Sequence, residues 1–83
     1  MNAMDAINLL KLSQVSTQVC SVLTDQGVHV GNLKLIGGVG KFQAIGYAAD
    51  GGVIPGGGPL TERHNTTFDV LDEALISRML LLA

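Results

Sequence analysis

Tryptophan is absent from this chain, cysteine occurs once, and charged residues make up only 14% of its 83 positions. One cysteine, Cys20, excludes an intrachain disulfide and any thiolate metal cluster built by a single copy. No uninterrupted apolar run exceeds five residues, far short of the roughly 20 needed to span a bilayer. The opening Met1–Asp5 carries no basic region of the kind that begins a secretory signal. A cytoplasmic protein without membrane contact is therefore expected. Neither sign of charge dominates, with five basic and seven acidic residues and a net charge of −2. Lys11, Lys34, Lys41, Arg63 and Arg78 are spaced one at a time. Nucleic-acid binders normally cluster their cations to neutralise phosphates, so no nucleic-acid partner is expected.

Apolar residues, by contrast, make up 47% of the chain. A monomer this small buries only about 60–65% of its unfolded surface. Much apolar surface on little interior points to cover by another copy, and a homo-oligomer, dimer or higher, is expected.

Glycine and proline divide the chain in three. All eleven glycines and both prolines lie within residues 27–59, and the flanking segments contain neither. Residues 2–26 read as one long helix. Leu12, Val15, Val19, Val22 and Leu23 recur at spacings of three and four, and Gly27 supplies a stop. Such a helix would be about 35–37 Å long and would overhang a domain roughly 30 Å across, leaving it free to pair with a second copy.

The glycine-rich middle reads as short antiparallel strands. Leu33–Ile36 is one, and Val39–Ala48 another after a Gly37–Gly38 turn. Val53–Ile54 follows an Asp50–Gly51 hairpin signal of type I′. Val28–Val30 could open the sheet, with Gly31–Asn32 as a turn or bulge. A last helix is expected from Asn65–Thr67, with Phe68, Leu71, Leu75, Met79 and Leu82 as its apolar stripe. The expected fold is a single α+β domain over residues 1–83, ordered α-β-β-β-α. Its helices would pack on a sheet of three or four strands.

Four features bear on chemistry. Gly37-Gly38-Val39-Gly40-Lys41-Phe42 has the look of a phosphate-binding loop, but Leu35 stands where the first glycine belongs and Phe42 where Ser or Thr must bind magnesium. It is a turn. Gly56-Gly57-Gly58, between Pro55 and Pro59, is either a flexible connection or a bare backbone able to close on a ligand. Arg63, His64, Thr66 and Thr67 follow at once. An arginine can grip a phosphate bidentately, and threonines at a helix start would add donors. The alternative is a capping segment with surface ion pairs. Finally, Leu12, Val19, Leu80 and Leu81 are candidate interface positions, with Arg78 able to pair across it.

Neither His29 and His64 nor Cys20 stands in a catalytic or metal-binding pattern, so no enzyme, metal or cofactor is expected. The expectation is a small oligomeric protein that binds or sequesters an anionic, nucleotide-type ligand at subunit boundaries. The alternative is a protein-interaction module docking through apolar helices.

Overall fold

Valine, threonine and serine crowd the stretch from Val15 to Thr24. These β-branched and hydroxyl side chains lose freedom in a helix and pack well on a pleated surface. The computed structural model describes residues 10–81, and there this stretch forms strands. β1 (Leu10–Ser16) and β2 (Val19–Thr24) are an antiparallel hairpin. The expected long N-terminal helix is thereby overturned for residues 10–26, and residues 1–9 of it lie outside the described part. Its apolar stripe was a coincidence of spacing. Leu12 and Val22 face each other across the hairpin on one side of the sheet, whereas Val19 and Leu23 fall on the other. The connecting Thr17–Gln18 turn contains neither glycine nor proline. Ser16 closes it, its Oγ accepting from Gln18 N at 3.2 Å while Gln14 Nε2 donates to Ser16 O at 3.0 Å.

β3 (His29–Ile36) and β4 (Val39–Tyr47) extend the meander, followed by β5 (Val53–Pro55) and the two-residue β6 (Thr67–Phe68). Strand order is β1-β2-β3-β4-β5, with β6 also pairing β4. The expected strand at Leu33–Ile36 and His29–Val30 of the candidate at Val28–Val30 are thus parts of one strand, and Val28 lies outside it. The pairing with β2 shifts between Val22 and Leu23, so Val30 is the extra residue of a bulge. Gly37 and Gly38 both take positive φ, 58° and 81°, which a two-residue turn matched to strand twist requires. At the β4–β5 connection the type I′ expectation fails. Only Gly51 (φ 90°) is left-handed there, and Asp50 Oδ1 instead accepts from Gly52 N at 2.9 Å.

A single α-helix, α1 (Glu73–Leu81), closes the described chain. It begins eight residues after Asn65, not at it. Asp72 starts it, with Oδ1 accepting from Leu75 N at 2.9 Å. Phe68 belongs to β6. The buried side of α1 is Ile76, Ser77 and Leu80; Leu71, Leu75 and Met79 of the expected stripe are exposed. Leu82 is outside the described residues. The order α-β-β-β-α is therefore corrected to six strands and one helix.

The two faces of the sheet differ in kind. Leu10, Cys20, Val22, Leu33, Phe42, Ala44 and Phe68 form one core with Ile76 and Leu80, each such large side chain contributing about 1.5–3 kcal/mol by its burial. Glu73 Oε2 accepts from Leu12 N at 2.9 Å and fastens α1 to β1. Among the described residues the opposite face carries no helix.

Candidate functional site

Past β5 the chain turns back and lines the free edge of β4 group by group. Gly56 N donates to Ala44 O at 2.7 Å, Asn65 N to Phe42 O at 2.7 Å, and Phe42 N to Thr66 O at 2.7 Å. One donor remains, the N–H of Ala44, a residue with 0% exposure. The His64 side chain takes it, Nδ1 accepting from Ala44 N at 3.0 Å. An acceptor Nδ1 places the ring hydrogen of neutral His64 on Nε2. The imidazole thus serves as a rung of the sheet, closing the gap between β5 and β6.

The glycine run is built around the same place. A Cβ at Gly56 would sit 3.6 Å from His64 Nε2, so the ring lies against the bare backbone. Gly58, at φ 84°, passes so close that an added Cβ would overlap Ile45 O. Thr61 Oγ1 donates to Gly56 O and pins the loop from the far side. The loop is shaped by close packing, which favours its structural role over that of a free flap.

The sequence-derived clamp is consequently split. Gly56, Gly57, Gly58 and His64 come together, as the knot just described. Thr66 Oγ1 donates to Arg63 O at 2.7 Å and braces a turn; Thr67 is exposed on β6, opposite Lys41. Neither threonine stands at a helix N-terminus, because the chain here pairs with β4 and does not coil. Arg63 ends a short 3-10 helix (Thr61–Arg63). With Pro59, Leu60, Glu62, Leu80 and Leu81 it lines an open cleft of about 190 Å³. Arg63 already has an interaction partner.

Of the expected interface positions, Leu80 is buried and Leu12 packs against the core. Leu81 is half-buried at the cleft, Val19 is half-buried on the helix-free face, and Arg78 is exposed on α1. Docking through a set of apolar helices has no counterpart, since α1 is the one helix of useful length among the described residues.

A second polar group escaped the sequence reading. On the helix-free face, His29 Nε2 lies 2.9 Å from Asn32 Oδ1, and the Tyr47 hydroxyl 3.3 Å from His29 Nδ1. The set is satisfied with Tyr47 donating to Nδ1 and Nε2–H donating to Asn32. Only the strand pairing unites these residues; the bulge at Val30 returns His29 to the side of Asn32. Cys20 is buried in the core. Among the described residues no three His, Cys, Asp or Glu side chains gather as metal ligands, and no helix is long and apolar enough to cross a membrane.

Comparison with protein-family models, with curated proteins and with solved structures finds no match to this chain. The site must be read from its own chemistry.

Proposed function

We propose that this chain is a non-enzymatic, cytoplasmic, oligomeric protein that binds a small anionic ligand of nucleotide type at a subunit boundary. The observation that carries the reading is Arg63, a cation set among the apolar walls Pro59, Leu60, Leu80 and Leu81. A guanidinium can hold a phosphate with two parallel hydrogen bonds, which here would be made in exchange for, or beside, the interaction Arg63 already has. Glu62, on the same rim, suits the hydroxyls of a sugar, and the leucines suit a base or other flat apolar group. At about 190 Å³ the cleft is smaller than the roughly 300–1,000 Å³ typical of ligand pockets. A second copy would supply the missing wall, which supports placing the ligand between subunits.

A different observation favours a protein-interaction role. Val70 (60% exposed), Leu71, Leu75 and Met79 (42%) leave an apolar strip along the outer side of α1 and its approach. That strip suits either a second copy or another protein.

Native mass spectrometry and calorimetry with a panel of nucleoside phosphates and cyclic dinucleotides test the first reading. Arg63→Ala should lower affinity at least tenfold while the subunit count stays the same. Equal affinity in the variant removes Arg63 from the site. A ligand-free monomer that no nucleotide stabilises refutes the proposal.

A further inference from the structure

The lysines are far apart in sequence, at 11, 34 and 41, yet strand pairing brings all three to the helix-free face. Lys34 and Lys41 are directly opposed across β3 and β4. Lys34 in turn opposes Val19, and Lys11 opposes Leu23; Val19 and Leu23 occupy the same side of β2, two residues either way from Ser21. All three lysines are exposed. With a strand spacing of about 4.8 Å and a rise of about 3.4 Å per residue, Lys11 lies roughly 17 Å from Lys34 and roughly 20 Å from Lys41 on the diagonal.

No carboxylate offsets them within the sheet. None of the six strands contains Asp or Glu; the acidic residues from Asp25 onward all lie in connections or helical segments. Two ammonium groups directly opposite on a sheet repel one another. This chain, acidic in net charge, keeps that pair exposed on the face that no helix covers among the described residues. Between the Lys34–Lys41 row and the Lys11 row runs a third. Ser13 opposes Ser21, Ser21 opposes Asn32, and Asn32 opposes Gln43, giving an unbroken line of uncharged hydrogen-bonding side chains across four strands.

We infer that the helix-free face is a docking surface for single-stranded nucleic acid, separate from the Arg63 cleft and independent of the function proposed for it. The lysines neutralise phosphates, and the Ser–Asn–Gln line meets the donors and acceptors of sugars and bases. The half-exposed Tyr47, at the end of the face beside His29, offers a ring for stacking. An anionic membrane would use the lysines equally well; the Tyr47 ring, which can stack on a base, favours nucleic acid, and vesicles are therefore an arm of the test. Sequence spacing conceals the arrangement, because the lysines come together across the strands and not along the chain.

The test is fluorescence anisotropy of a labelled 15-nucleotide single-stranded RNA of mixed sequence, titrated with the full chain at 20 and 200 mM NaCl. Three neutralised phosphates, at a slope of about −0.7 each, predict a roughly 100-fold loss of affinity over that tenfold rise in salt. In Lys34→Gln/Lys41→Gln one cation remains and the loss should fall to about fivefold. Lys11→Gln should lie between. Arg63→Ala should bind the RNA as the parent does, so failure here and failure of the cleft are distinguishable. Circular dichroism melts of the lysine variants, all at exposed positions, and of the half-buried Arg63→Ala check that the sheet persists. The inference is overturned by no saturable binding at 20 mM NaCl or by an unchanged salt slope in the double variant. Capture by phosphatidylserine vesicles or polyglutamate in place of RNA also overturns it.

Discussion

Replacing His64 tests whether an imidazole completes this sheet. In His64→Ala the N–H of Ala44 loses its acceptor at a position with 0% exposure. An unmet buried donor costs about 1–3 kcal/mol. His64 itself is only partly buried, so water entering the vacated space offsets some of the cost, leaving about 1–2 kcal/mol. For a domain of this size each kcal/mol moves the midpoint by roughly 4–8 °C, and a fall of about 4–16 °C is expected by thermal denaturation. Two further substitutions separate the hydrogen bond from loss of bulk. Asn carries Oδ1 where His carries Nδ1, so His64→Asn should recover most of the loss. Gln places its oxygen one bond further out, near the Nε2 position, and should not. Amide hydrogen exchange at Ala44 reads the same bond locally, with protection lost in the Ala and Gln variants and retained with Asn. A midpoint for His64→Ala within 2 °C of the parent, or equal midpoints for the Asn and Gln variants, would refute the reasoning.

Gly58→Ala should be more damaging than His64→Ala. It puts a side chain at φ 84° and drives its Cβ into Ile45 O; the left-handed backbone alone costs about 1–2 kcal/mol, and urea denaturation should report the larger total. Asp72→Ala removes the acceptor at the start of α1 and should cost about 1 kcal/mol, with a matching loss of helical circular dichroism and recovery in Asp72→Ser.

The Gly37–Gly38 turn and the strand after it were the most legible part of the fold. Gly37–Gly38 dictates a tight hairpin because two consecutive left-handed residues are otherwise costly, and Val39–Tyr47 follows as a strand from its alternation. Asp72 and the apolar residues after it dictate a helix near the C-terminus, though not its first residue. The first hairpin was illegible for a definite reason. Its turn is closed by Ser16 and Gln14 side chains in place of glycine or proline, and its apolar residues mimic a helical stripe while lying on two faces of a sheet. The β-branched content of 15–24 was the signal that could have corrected this.

The candidate site divides along the same line. Sequence placed the glycine run, Arg63 and His64 in one neighbourhood, since they are close along the chain. Which way each side chain turns depends on the edge of β4, whose unpaired N–H at Ala44 draws His64 inward and leaves Arg63 to the cleft. Leu80 and Leu81 reach that cleft only because α1 packs across β1.

Composition alone determined that this chain has few charges, an unusual share of glycine confined to its middle, and more apolar surface than a small interior absorbs. These follow from side-chain chemistry summed over residues and need no geometry. Only the tertiary structure decided which residues share a surface. Strand pairing carries Lys11, Lys34 and Lys41 onto one face and Leu33, Phe42 and Ala44 onto the other, because side chains alternate at every residue of a strand. Proximity across a sheet is set by register, which no local stretch of sequence contains.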